Sequence, residues 1–76
     1  MKNSGIILKL ADERIVIVYD KQPLLQKNSK VILNLVDDKH NLLKDGNGNP
    51  RTIIKDLAMY NLENQHGANT IIGYVD

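Results

Sequence analysis

The chain has 76 residues, with 10 Lys or Arg, 9 Asp or Glu and no cysteine. These values predict one small domain and exclude disulfides, cysteine-based zinc sites and thiol catalysis. The formal net charge of +1 argues against nucleic-acid binding through overall charge. A chain this short buries only about 60% of its unfolded surface, so self-association is the expected additional source of stability.

The first forty residues have the pattern of three β-strands. Residues 5–10 and 15–19 are apolar runs on either side of a short polar turn, and residues 30–36 form a third run. Their Ile and Val side chains are stiff at χ1 and suit the pleated surface of a sheet. All three runs are apolar on both faces, whereas an antiparallel sheet with one solvated face alternates with polar residues. The pattern predicts a cover for the second face: barrel closure, another layer or a second subunit.

Loops and turns are predicted between the later elements. Residues 21–29 are expected to form a loop, because Pro23 interrupts a strand ladder. Residues 37–41 have turn composition and lead into a short strand at residues 42–44. The strongest turn signal is at residues 45–50, since Gly and Asn tolerate positive φ.

Residues 52–62 fit two interpretations. At period two they form a strand, which would pair with residues 42–44 around the Gly/Asn turn. At period 3.6 they form a short helix, which Thr52 would cap. We favour the strand and keep the helix as the alternative. A closing strand is predicted at residues 70–75.

These elements predict a mostly β domain that occupies residues 1–76. The expected architecture is a small antiparallel barrel or roll of five or six strands, similar in scale to Src-homology-three-type barrels. The alternative is an α+β fold in which one short helix, at about residues 52–62, packs across the sheet.

Few residues have a pattern that indicates chemistry. Asp45, Asn47 and Asn49 match the first ligand positions of a calcium loop, but Pro50 stands where that loop needs a glycine. No serine or histidine lies in a nucleophile–base pattern, and no glycine-rich phosphate loop is present. We therefore predict a protein that is not an enzyme and that binds no metal ion and no cofactor.

Two pairs of residues are candidate protein-binding sites. Leu24 and Leu25 form an apolar pair in a polar segment, which is typical either of a partner-binding tip or of a loop folded onto the core. Tyr74 and Val75 lie in the last predicted strand. If that strand is at a sheet edge, its unpaired backbone groups are able to accept a strand from another chain.

A candidate nucleic-acid site comprises Arg51, Lys55 and Tyr60. If both nearby strands pair as expected, these residues form a basic strip beside an aromatic ring. Basic side chains neutralise phosphates, and a tyrosine ring is able to stack on a base. A solvated charged face explains the same pattern equally well.

The sequence favours a non-enzymatic binding or assembly module that acts through protein–protein contacts, with a homo-oligomer as the expected state. Its size would suit an accessory or structural protein of a phage or mobile element. The alternative function is nucleic-acid binding by a small β-barrel. No apolar run has the length of a membrane span and no targeting signal is evident, so we expect a cytoplasmic protein without a membrane partner.

Overall fold

A computed structural model describes residues 4–76 of the chain. In chain order the elements of these residues are β1 (Gly5–Lys9), β2 (Ile15–Tyr19), α1 (Pro23–Asn28), β3 (Lys30–Val36), β4 (Thr52–Asp56), α2 (Leu57–Gln65) and β5 (Thr70–Val75). The five strands form one antiparallel sheet in the order β4-β3-β2-β1-β5. The sheet is open, with β4 and β5 at its two edges, so it does not close into a barrel. The predicted mostly β, antiparallel class is confirmed.

The sheet is apolar on both faces, and the helices pack on one of them. On this helix face, strand residues join Tyr60 of α2 in the main core, and Leu25 of α1 and Leu57 of α2 pack against them. On the opposite, open face a smaller cluster consists of strand residues alone. The strand residues of the main core are Leu8, Val16, Val18, Val31 and Leu33, and the buried residues of the open face are Ile7, Ile17 and Val36.

Residues 23–28 form a helix, so the prediction of a loop there was wrong. Pro23 occupies the first turn of α1, where a missing N–H leaves no hydrogen bond unmade and the fixed φ suits the helix. Ser29 follows the helix in the left-handed conformation, with φ of 53°. Proline was expected to interrupt a strand ladder here, but in this chain it marks the start of a helix.

Residues 52–62 contain a strand followed by a helix. Thr52 begins β4 and does not cap a helix, while α2 begins directly after Asp56. β4 pairs with β3, and residues 42–44 form only isolated bridges at Leu42 and Lys44. Each interpretation of this segment was thus right for one half of it, but the predicted pairing with residues 42–44 was wrong.

One buried polar side chain joins β2, α1 and β3. Gln22 lies just before α1, and its side-chain amide donates to the backbone carbonyls of Tyr19 at 2.9 Å and Ile32 at 3.1 Å. Its Oε1 accepts a hydrogen bond from the backbone N–H of Ile32 at 2.6 Å. The side chain thereby contacts both backbone polar groups of one β3 residue.

Three turns of the sheet share one backbone geometry. In residues 10–14, 37–41 and 45–49, the first N–H donates to the fifth carbonyl at 2.8, 2.9 and 2.9 Å, respectively. The fourth N–H donates back to the first carbonyl at 2.9, 3.0 and 3.1 Å. In each loop the fourth residue adopts a positive φ, a conformation that favours glycine. These residues are Glu13 at 74°, His40 at 65° and Gly48 at 81°.

We expect Glu13→Gly and His40→Gly each to raise the free energy of unfolding by about 0.5–1 kcal/mol. A left-handed non-glycine residue costs roughly 1–2 kcal/mol, and the greater unfolded-state entropy of glycine offsets part of that gain. At the equivalent position of the third loop, Gly48→Ala should lower stability by about 1 kcal/mol. Urea unfolding measures all three, and a His40→Gly variant no more stable than wild type would contradict the expectation.

Candidate functional site

The candidate site is the free edge of β5. β1 lies on one side of this strand, and in the described part of the chain no strand lies on the other. Three large apolar side chains along it are about half exposed: Ile71 at 50%, Ile72 at 43% and Tyr74 at 59%. The strand contains no charged residue and no proline, although such residues commonly protect edge strands from pairing. β5 is therefore an edge strand that lacks the usual protection against pairing.

A β-bulge divides β5 into two halves. Gly73 pairs with Ile7, but Ile71 pairs with Leu8, which is the next residue of β1. Ile72 is thus an extra residue that has no partner of its own in β1. A Cβ on Gly73 would lie 3.3 Å from Cδ1 of Ile7, so glycine accommodates a close approach at this point.

The bulge determines which side chains of β5 share a face. Tyr74 pairs with Ile6, and Ile71 pairs with a β1 residue of the same face, so both lie on the helix face. In a regular strand two residues three positions apart would point to opposite faces. By the same shift, Thr70 and Val75 both lie on the open face, where Val75 packs against the smaller cluster.

A shallow apolar groove of about 380 Å³ lies beside β5 on the helix face. Ile6 and Ile71 line its sheet side, and Asn64 and Gly67 line the side of α2. α2 packs mainly over β3 and β4, and the groove lies between the end of this helix and β5. Of the half-exposed side chains of β5, Ile71 therefore borders an apolar depression.

The other edge strand, β4, carries charged side chains. Nζ of Lys55 binds both carboxylate oxygens of Glu63 in α2, at 2.6 and 2.8 Å. Asp56 forms an ion pair with Lys30 of β3. Charges on an edge oppose pairing with another chain, because that pairing would remove them from water. Of the two edges, β5 is the one suited to strand addition.

The structure separates the two predicted protein-binding pairs. Tyr74 is exposed on the edge strand, and its neighbour Val75 is partly buried. Leu25 packs against the main core and Leu24 is also partly buried, so this pair belongs to the helix that covers the sheet. Ile71 and Ile72 expose more of the edge than Val75 does, although the sequence marks them only as part of an apolar run.

Arg51, Lys55 and Tyr60 do not form a continuous strip. Arg51 is exposed in the segment before β4, and Lys55 is held by the carboxylate of Glu63. Tyr60 is buried in the main core, where its ring is not accessible for stacking on a base. A phosphate-binding site needs free positive charge, and a stacking site needs an exposed ring.

The carboxylate of the calcium-like loop contacts its own backbone. Oδ1 of Asp45 accepts hydrogen bonds from the N–H groups of Asn47 and Asn49, at 2.8 and 3.0 Å. In the turn between β1 and β2, the backbone N–H of Arg14 donates to Asp12 at 3.1 Å and lowers the pKa of that carboxyl. Within residues 4–76, no group of three or more His, Asp or Glu side chains is arranged to hold a metal ion.

Comparisons with protein families, with curated proteins and with solved structures found no match to this chain. Neither helix of residues 4–76 has the length and hydropathy that crossing a bilayer needs. The fold and the site define a small domain in which one antiparallel sheet is half covered by two short helices.

Proposed function

We propose that this protein is a non-enzymatic binding and assembly module, and that its docking element is the free edge of β5. The observation that carries the proposal is the half exposure of Ile71, Ile72 and Tyr74 on an uncharged edge strand. Strand addition to such an edge supplies main-chain hydrogen bonds, and the exposed side chains add apolar contact. The bordering groove offers further apolar surface to an added strand.

The nucleic-acid alternative has less support from the arrangement of side chains. Of its three candidate residues, Lys55 is in an ion pair and Tyr60 is in the core. The alternative therefore depends on Arg51. The wider setting, a cytoplasmic accessory or structural protein of a phage or mobile element, stays a prediction that comes from size and composition.

A matched pair of lysine substitutions tests the proposal. Ile71 in β5 and Ile54 in β4 lie on opposite edges and are 50% and 56% exposed. We expect Ile71→Lys to weaken protein association at least about tenfold, because a lysine placed in an apolar contact costs more than roughly 1.4 kcal/mol. Ile54→Lys should associate as wild type does. Light scattering after size-exclusion chromatography measures the mass of wild type and of each variant. The stoichiometry of any co-purifying protein is measured in the same samples.

Absorbance at 260 and 280 nm is recorded on the same column. Three tyrosines and no tryptophan absorb weakly, so co-purified nucleic acid would dominate the spectrum. An excess at 260 nm that high salt removes would favour the nucleic-acid alternative. If the two lysine variants match wild type in mass and in bound protein, the β5 edge is not the docking element.

A further inference from the structure

We infer that the partner of β5 is a second copy of this chain, whose own β5 pairs with it in antiparallel orientation around a two-fold axis. The two five-stranded sheets would join into one continuous sheet. This inference rests on the proposed docking role of the β5 edge and names the occupant of that edge.

Two-fold symmetry restricts how a strand pairs with itself. The axis stands perpendicular to the sheet, so each face of one copy continues as the same face of the other. Residues directly opposite each other in an antiparallel pair point to the same face. In a regular six-residue strand, complete overlap places residues of opposite faces against each other, because the first and sixth positions differ by an odd number. A regular strand of this length would have to slip by one residue.

The bulge removes this conflict in β5. Complete overlap places Thr70 opposite Val75 of the second copy, and both of these residues lie on the open face. It also places Ile71 opposite Tyr74 of the second copy, and both lie on the helix face. An aromatic side chain opposite a β-branched one stabilises a sheet by about 0.2–1 kcal/mol, and symmetry makes this pair occur twice. The extra residue therefore makes the whole strand complementary to itself.

The charges near the strand agree with the same arrangement. Residues 70–75 are uncharged, so no like charges meet along the pairing. The nearest charged side chain of β1, Lys9, forms an ion pair with Glu13 at 3.9 Å within its own copy.

Pairing of β5 with β4 of another copy would be head-to-tail and would extend into a filament. The ion-paired Lys55 and Asp56 oppose it, because they would lose solvent on the β4 edge. Pairing of β5 with β5 buries the unprotected edge of both copies and stops at a dimer.

The first test is the mass of the purified protein as a function of concentration. A six-residue edge is a small interface, so we expect a dimer with a dissociation constant of about micromolar. Ile71→Lys should be monomeric at concentrations where wild type and Ile54→Lys are dimeric. A wild-type monomer at every concentration would overturn self-pairing.

The second test fixes the orientation by disulfide trapping. The chain has no cysteine, so a single introduced thiol reports one position. Mixing Thr70→Cys copies with Val75→Cys copies should give cross-linked heterodimers upon oxidation, because opposite Cα atoms are about 4.5–5.5 Å apart. Thr70→Cys alone should stay uncross-linked, since its two copies would be about 16 Å apart along the strands.

The outcomes separate this inference from the proposed function. Efficient cross-linking of Thr70→Cys with itself, or failure of the mixed pair to cross-link, would overturn the antiparallel register. If the protein is monomeric but binds a different protein that Ile71→Lys loses and Ile54→Lys keeps, self-pairing fails and the docking role of β5 stands. If neither association depends on Ile71, both proposals fail.

Discussion

Replacing Gln22 with alanine is expected to lower the free energy of unfolding by about 3 kcal/mol. Three backbone groups lose their hydrogen-bond partner, and each costs about 1–3 kcal/mol if it stays buried and unsatisfied. The side chain is only 6% exposed, which is unusual for glutamine. It binds the carbonyl of Tyr19 and both backbone polar groups of Ile32. Water is expected to hydrogen-bond some of the freed backbone groups of Tyr19 and Ile32 and so to reduce the loss.

The position of these bonds explains the size of the effect. The β2–β3 ladder runs from Ile15 opposite Val36 to Ile17 opposite Asn34 and stops there. β2 continues only to Tyr19 before the chain turns into α1, and without Gln22 the backbone of Ile32 would have no hydrogen-bond partner on this side. The side-chain amide of Gln22 offers one acceptor and two donors, as a stretch of neighbouring strand would.

Urea unfolding of Gln22→Ala measures this loss. Gln26→Ala is the matched control, because Gln26 is exposed in α1 and its truncation should change stability by less than about 0.5 kcal/mol. Gln22→Glu should not recover wild-type stability, since a carboxylate has no donor for the two carbonyls. Equal stabilities of the Gln22→Ala and Gln26→Ala variants would show that solvent satisfies the freed backbone groups.

The strands could be predicted because their signal is local. Residues 5–10, 15–19, 30–36 and 70–75 are apolar runs bounded by turn residues, and all four become strands. Gln22 could not be found in this way. Its partner Ile32 is ten positions away, and a glutamine before a proline in a polar segment has the composition of an ordinary loop.

The candidate site was predictable only in part for a similar reason. Tyr74 is predictable as a candidate because it lies in the last apolar run, for which an edge position is one expected outcome. The sharing of a face by Ile71 and Tyr74 depends on a bulge that forms only against β1. Lys55 looked available for phosphate because its partner Glu63 reaches it only after α2 folds over the sheet. Sequence spacing carries no record of either contact.

Leu33→Ala is expected to have the largest effect on stability, a loss of about 3–4 kcal/mol from removed methyl groups and the cavity they leave. Leu33 is fully buried, with 0% exposure, and lies in β3 within the main core. A domain of this size has a total stability of only about 4–11 kcal/mol. Leu33→Met, which conserves volume, should lose less than about 1.5 kcal/mol and keeps the position measurable if the alanine variant does not fold.

The same substitution separates the core from the β5 edge. Leu33 is buried within one copy, so Leu33→Ala should lower Tm by the same amount at low and high protein concentration. Ile71→Lys should instead abolish the increase of Tm with protein concentration. That increase is expected for wild type because pairing stabilises the folded state by mass action. Leu42→Ala controls for truncation of a leucine outside the core, since Leu42 is exposed. A Tm difference between Leu33→Ala and wild type that grows with concentration would mean that the core and the pairing edge are coupled. In that case β5 would be ordered by its partner as well as by β1.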